Sequence, residues 1–313
     1  MLVIAYTKNQ ELADKLTRLD ELRKELHVLP LSRNQLYAQQ WNTTLSRIST
    51  ALTHQGHAVT QQNIEKYLAD TSFTSTKAMA TRKYKSALDL IRTEWYVNPA
   101  PISPHVLSTL DALVSQNKRG SLSKRTPIEK LYDLKQLLTY IQSGDEHPVI
   151  QAGIVYVEIL QKDLIPHSGH LVAILLATMM LSKQGWDFRE LINYERLLDP
   201  HSPEYRYAYD ATKANNNATI WLSFVVDALI TQTQLLLTSP AQSVENEPAR
   251  ELQPRLIRIL ALLDSPTSRL TNKNLQEKFG ISQITSSRDL AKLADMGLVR
   301  VHAKGRSTYY TKI

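Results

Sequence analysis

Two segments near the middle of the chain, Val149 to Gln161 and Leu171 to Gln184, constrain the fold most. The second opens with a nearly unbroken apolar run, Leu171 to Leu181. A helix that is apolar all round has no face to give to water and must sit in a core. A membrane span needs about 20 such residues, so the run reads as a buried core helix. Only Asp163 to His170 joins the two segments. They are therefore expected to form a central antiparallel pair, with the rest of the chain wrapped around them.

The surrounding sequence supports a mostly α protein. Glycine is scarce, 9 of 313 residues, and apolar positions recur at helical spacing. Leu12 to Leu26, Asn34 to Leu52, a segment from Asn63, Tyr84 to Trp95, Pro104 to Gln116 and Ile128 to Gln142 read as helices. Ser72 to Lys83, rich in Thr, Ser and Lys, reads as a loop. So does Asn117 to Pro127, where Lys118, Arg119, Lys124 and Arg125 form a solvated basic stretch. The length suits two or three domains, divided at 1–100, 101–245 and 250–313. The absence of cysteine excludes disulfides and thiolate chemistry. Met1 to Tyr6 lacks the basic start and long apolar run of a signal peptide, so a cytoplasmic location without membrane association is expected.

The last sixty residues carry the charge. Residues 254–313 hold eleven Lys and Arg against four Asp and Glu, an excess equal to the formal net charge of +7 of the whole chain. A basic balance confined to one small unit is an electrostatic footprint for a polyanion. Pro254 opens a first helix carrying Leu256, Ile259, Leu260 and Leu263. Thr271 caps a second, stopped by Gly280. Ser282 caps a third, with Ile284, Leu290, Leu293 and Met296 as its expected buried stripe. Leu298 to His302 and Ser307 to Tyr310 alternate like two strands around a basic turn, Ala303 to Arg306. Three helices and a β-hairpin wing give the order of a winged helix-turn-helix. The third helix would enter the major groove with Gln283, Thr285, Ser286, Arg288 and Lys292. Lys304 and Arg306 of the wing, with Lys273, would meet the backbone. DNA is thus the expected partner, and one such unit makes few phosphate contacts, which favours a homodimer. Winged helices also bind proteins, so a partner protein stays open.

The body has a further resemblance. His147-Pro148-Val149-Ile150-Gln151-Ala152, the two apolar helices, Gly185-Trp186 and Leu191 to Asp199 resemble the core of the Fic family. Tyr205-Arg206-Tyr207-Ala208-Tyr209, the polar turn from Asn215 and the helix opening Ile220-Trp221-Leu222 are similar to that family's closing elements. Many bacterial Fic proteins also end in a winged helix. The resemblance runs from about Arg33 to the end. It implies a Fic-like helical body followed by a C-terminal winged helix, and a scaffold on which AMP is transferred from ATP to a protein hydroxyl.

The catalytic signature is where this chain departs. The family loop H-P-F-x-[D/E]-G-N-G-R corresponds to Asp163-Leu164-Ile165-Pro166-His167-Ser168-Gly169-His170-Leu171. Its base falls on Asp163, its acidic metal ligand on His167 and its phosphate-binding Arg on Leu171. The inhibitory motif [S/T]-x-x-x-E-[G/N] corresponds to Ser49 to His54, with Thr53 in place of Glu. The resemblance therefore implies no catalytic residue here. AMP transfer needs cations at the α-phosphate and pyrophosphate, Leu171 supplies none, and a neutral His is a poor Mg²⁺ ligand. Asp163, His167 and His170 are all metal-ligand types, but Pro166 and Gly169 oppose a regular ligand arrangement, so no metal is expected. Two functions follow. One is a DNA-binding regulator or pseudo-enzyme with no cofactor. The alternative is an active nucleotidyltransferase with an atypical loop, which alone would need ATP and Mg²⁺. The free N–H groups opening the second apolar helix leave anion binding without turnover open as well.

Overall fold

The computed structural model describes residues 4–92, 101–115, 128–143, 146–238, 254–263, 269–295, 298–302 and 308–312. Fourteen α-helices and one two-stranded sheet occur among them. The chain divides into two compact units, Met1–Ser239 and Pro240–Ile313.

The larger unit is entirely helical apart from one short bridge between Ala5 and Asn217. Helix α1 (Gln10–Val28) buries Leu12, Leu16, Leu19, Leu22 and Leu26, and Asn9 caps it by accepting from the Leu12 N–H at 2.9 Å. Each such leucine contributes about 1.5–3 kcal/mol when taken fully out of water. Helix α2 (Arg33–His54) opens with a reciprocal capping box between Ser32 and Gln35. Helices α3 (Gln61–Ala69), α4 (Thr76–Leu90), α5 (Pro104–Val114) and α6 (Ile128–Ser143) follow.

At the centre lie α7 (Pro148–Gln161) and α8 (Gly169–Lys183), which pack on each other more extensively than any other helix pair. Residues Leu171 to Met180 of α8 are all buried, as an all-round apolar helix requires. A short 3-10 turn (Phe188–Glu190), α9 (Tyr194–Leu197), α10 (Pro203–Asn215) and α11 (Thr219–Thr238) complete the unit. Helix α11 comes close to α7 at Gly153, where a Cβ would stand 2.9 Å from Leu222 Cδ2. The Trp221 indole N–H donates to the Gly153 carbonyl at 2.9 Å. By length and composition α11 could cross a membrane, a candidate that inspection of the longest apolar run does not reveal. Its Trp221, Leu222, Val225, Val226 and Leu229 are instead buried in the protein core.

Three sequence expectations for this unit need correction. Ser72 to Lys83 is not one loop, because α4 begins at Thr76 with Ser75 accepting from the Ala78 N–H. Ala78 and Tyr84 reach the core, and the Thr81 hydroxyl donates to the Lys77 carbonyl, so a polar composition conceals a helix. Of Tyr84 to Trp95, the described part is helical to Leu90, followed by a π-turn at Ile91–Arg92. The tyrosines of α10 are not equally packed either. Tyr205 is buried, whereas Tyr207 is 70% exposed. The basic stretch from Asn117 to Pro127 lies outside the described residues.

The smaller unit has its own core of Leu256, Ile259, Leu263, Leu275, Leu290 and Leu293 with neighbours. Its elements are α12 (Pro254–Ala261), α13 (Asn272–Phe279), α14 (Gln283–Asp295), β1 (Val299–His302) and β2 (Tyr309–Lys312). Gly280 ends α13 at φ 62°, a left-handed position that glycine takes without steric cost. The strands pair antiparallel with Val299 opposite Lys312 and His302 opposite Tyr309. Leu270 and Tyr310 exchange backbone hydrogen bonds at 2.9 and 2.7 Å. The small sheet suits a wing. Its turn, with Lys304 and Arg306, lies outside the described residues, as does Met296.

Candidate functional site

Chain geometry brings the loop between α7 and α8 against the C-terminal end of α2. Asp163 and His167 both adopt positive φ, 46° and 68°, which non-glycine residues rarely do. Asp163 is exposed and held by Lys130, whose ammonium lies 2.6 Å from Oδ2 and also donates to the Asp163 carbonyl. Lys162, the other lysine flanking the loop, pairs with Glu158 at 2.6 Å. His167 is exposed. Ser168 is buried and donates to Asp111 Oδ1. Gly169 begins α8, and Leu171 is 4% exposed within the core.

His170 is the loop residue with the richest surroundings. Its Nδ1 lies 2.7 Å from the Tyr156 hydroxyl, and its Nε2 lies 3.3 Å from Nδ1 of His54 on α2. His54 Nε2 faces Asp199 Oδ1 at 3.4 Å, and the Tyr156 hydroxyl meets that of Tyr205 at 2.9 Å. Asp199, His54, His170, Tyr156 and Tyr205 thus form one polar chain running from the surface into an aromatic cluster with Trp221. An ionised Asp199 sets its direction. It requires the proton on His54 Nε2, so His54 Nδ1 accepts from His170 Nε2–H, and His170 Nδ1 accepts from Tyr156. The Tyr156 oxygen then accepts from Tyr205. The opposite direction would place a His54 lone pair against a carboxylate.

Burial first, and His54 second, push the His170 pKa down from 6.5 to about 3. Burial likewise lowers that of His54. Both imidazoles are neutral near pH 7, with the His170 lone pair engaged by Tyr156. Such a ring neither carries charge to a phosphate nor offers a free base. The same arrangement has a stability consequence. Below pH 6.5 the unfolded chain takes up protons that the folded chain refuses, so stability is full above 6.5 and declines as pH falls toward 3. Each such histidine contributes a slope of up to about 1.4 kcal/mol per pH unit. Urea midpoints should fall between pH 7 and 5, and His170→Gln should flatten that fall by about one proton. An unchanged slope in the variant would show that His170 is not held neutral.

Beneath the chain lies a second buried group. Glu195, fully buried, receives a fork of bonds from Arg47: Nε to Oε2 at 2.7 Å and Nη2 to Oε1 at 2.7 Å. The Tyr84 hydroxyl donates to Oε1 at 2.7 Å, and Arg47 Nη2 reaches the Thr178 hydroxyl at 3.3 Å. This group ties α2, α4, α8 and α9 together behind the polar chain. The end of α2 contributes little more. Thr53 is exposed and donates to the Ser49 carbonyl of its own helix at 2.9 Å. The place of His54 in the chain is invisible in the sequence, because no local spacing links it to a residue 116 positions away. His147 has a local role: it caps α7 and packs its ring 4.7 Å from that of Trp186.

In the smaller unit, Gln283, Arg288 and Lys273 are exposed and Thr285 and Lys292 are partly so. Ser286 does not belong with them. It is fully buried and donates to the Asn272 carbonyl at 3.1 Å, fastening α14 to α13. Ile284 also departs from expectation, standing 72% exposed instead of in the core stripe. The open face of α14 is therefore Gln283, Ile284, Ser287, Arg288 and Ala291. Arg255 is withdrawn from solvent chemistry by Asp289, 2.6 Å away. Lys273 is 84% exposed, with Glu277 3.8 Å away. No group of three or more His, Cys, Asp or Glu suited to a metal ion occurs among the described residues.

No protein-family model and no curated protein matches the sequence. Solved structures do. A Fic family protein from Desulfovibrio desulfuricans G20 superposes with a TM-score of 0.62 at 13% identity, over 99% of this chain and 98% of that one. A Fic domain containing signaling protein from Bacteroides thetaiotaomicron VPI-5482 gives a TM-score of 0.53 at 15% identity, over 75% of this chain and 99% of the other. At such identity the likeness speaks for the fold and not for the chemistry. The protein has a mostly helical, Fic-like fold.

Proposed function

We propose that this chain is a DNA-binding regulator built on a Fic-like body that does not transfer AMP. One observation carries the reading: the exposed face of α14 presents Gln283, Ile284 and Arg288 from a unit whose sequence holds the entire charge excess. Arginine and glutamine read base edges, and an exposed apolar side chain suits a thymine methyl. The body supports the negative half of the proposal. A leucine stands where the family's phosphate-binding arginine would be, His170 is neutral and engaged, and both lysines beside the loop are paired with carboxylates. Nothing there supplies the positive charge that phosphoryl chemistry needs.

The test uses the full-length protein. Fluorescence anisotropy with a mixed-sequence duplex should show binding whose logarithm falls linearly with the logarithm of salt concentration, with a slope of about −0.9 per phosphate neutralised. Incubation with Mg²⁺ and ATP labelled on the α-phosphate should leave the protein and a cell lysate unlabelled. Asp163→His should not change that, because Leu171 still lacks the charge. Robust label in either protein, or salt-independent binding to the duplex, would refute the proposal.

A further inference from the structure

The largest cavity in the helical unit is not at the α7–α8 loop. It is an open cleft of about 1150 Å³ bounded by α1, α2, α9, α10 and α11, and it includes no residue of Asp163 to Leu171. Its floor is apolar, made by Leu12, Leu191, Leu197, Ala208, Phe224 and Leu236. Tyr207, Ile220 and Leu235 extend that surface to the rim while standing 70%, 37% and 63% exposed. Clustered exposed apolar side chains of this kind mark a binding surface more often than a plain exterior. The volume exceeds the range of about 300–1,000 Å³ common for small-molecule sites.

The charges around the cleft favour one kind of occupant. Glu11 and Asp227 are both neutralised by Lys15, whose ammonium lies 2.8 Å from each. Glu204 stands in the first turn of α10, where the helix dipole offsets an acid. Arg196 is the sole cation on the lining, and no carboxylate lies at ion-pair distance from it among the described residues. Its backbone N–H is taken by the Asn193 side chain, which fixes α9 and so the base of the arginine. Asn42, Thr43 and Gln232 add neutral polar groups. An apolar floor, compensated acids and one unpaired guanidinium match a ligand with an apolar tail and a single anionic head. We infer that this cleft binds an amphipathic organic acid, its carboxylate held by Arg196 and its tail laid along α11.

Isothermal titration of the full-length protein with dodecanoate, below its micelle concentration, tests this against dodecan-1-ol of equal tail length. The acid should bind about tenfold tighter than the alcohol. Arg196→Gln should abolish that preference and leave alcohol binding unchanged, while Ala228→Trp, which fills the cleft, should weaken both. Circular dichroism melts of the variants establish that each is folded. Equal affinity for acid and alcohol in the native protein, a preference that survives Arg196→Gln, or no binding of either would overturn the inference. Sedimentation supplies the remaining arm. A dimer that takes up dodecanoate only after Leu235→Glu separates it would assign the cleft to a second copy of the chain, and the inference would fall. None of these readouts depends on DNA binding, so the cleft and the proposed function stand or fall separately.

Discussion

Replacing Glu195 with alanine should cost the helical unit about 3–5 kcal/mol, the usual penalty for removing one partner of a buried ion pair. Glu195 is fully buried, and three hydrogen bonds from Arg47 and one from Tyr84 converge on it. The substitution strands the Arg47 guanidinium, whose side chain is only 11% exposed, in a site it cannot leave without unpacking α2. It also leaves the Tyr84 hydroxyl without its acceptor. Burial, and then the neighbouring Glu195 charge, hold that hydroxyl well above its ordinary pKa, so it cannot compensate by ionising. For a unit of this size each kcal/mol moves the melting temperature by about 2–4 °C. The double variant Arg47→Met with Glu195→Leu removes both charges together and should be considerably milder than Glu195→Ala alone. Thermal and urea denaturation of the three proteins decides the matter. A loss under about 1 kcal/mol for Glu195→Ala would mean that water reaches the pair and that it does not fasten the helices.

A second large effect is expected on DNA. The double variant Arg288→Ala with Lys292→Ala should weaken duplex binding by about tenfold to a hundredfold at low salt, given about 1–3 kcal/mol for a good arginine contact to a base. The salt slope should become shallower by about 0.9 for each phosphate that the variant no longer neutralises. Both residues lie on α14, Arg288 fully in solvent and Lys292 partly so. The comparison is Lys124→Ala with Arg125→Ala, which removes the same charge from the basic stretch of the larger unit. That pair should lower affinity only slightly and leave the preference among duplex sequences intact. Equal losses from the two double variants would move the binding surface away from α14. Ser286→Ala serves a different purpose. Because Ser286 is buried and bonded to Asn272, its replacement should loosen the α13–α14 junction and reduce stability without altering the salt slope.

Much of this protein is legible in one dimension because much of it is local. Helix starts follow from Asn9, Ser32, Thr60, Ser75, Ser202 and Thr271, each of which accepts from a backbone N–H two or three residues into its helix. The burial of α8 follows from its composition alone, since no polar face is available to expose. The basic character of the last unit is a matter of counting. Sequence and structure part where tertiary packing outweighs local preference. Ser72 to Lys83 has the composition of a loop, yet Ala78 and Tyr84 find a core that makes a helix worthwhile. On α14 the apolar residue Ile284 faces out and the polar Ser286 faces in. They stand two positions apart, and successive 100° steps around the helix, not polarity, decide which one meets the core.

What sequence by itself determined, then, is the helical class, the two apolar centre helices, the order of elements in the last unit and the charge that unit carries. All of these depend on residues near one another, through spacing, capping and composition. The tertiary structure alone decided the rest. It joined His54 to His170, and Arg47 to Glu195 across 148 positions. It also paired Lys15 with Asp227 across 212, and beside that pair it opened the cleft that Arg196 lines. Contacts at such separations leave no periodic trace, because the helices between them fix how far apart in space the two ends lie, and helix packing settles that distance only once the core has formed.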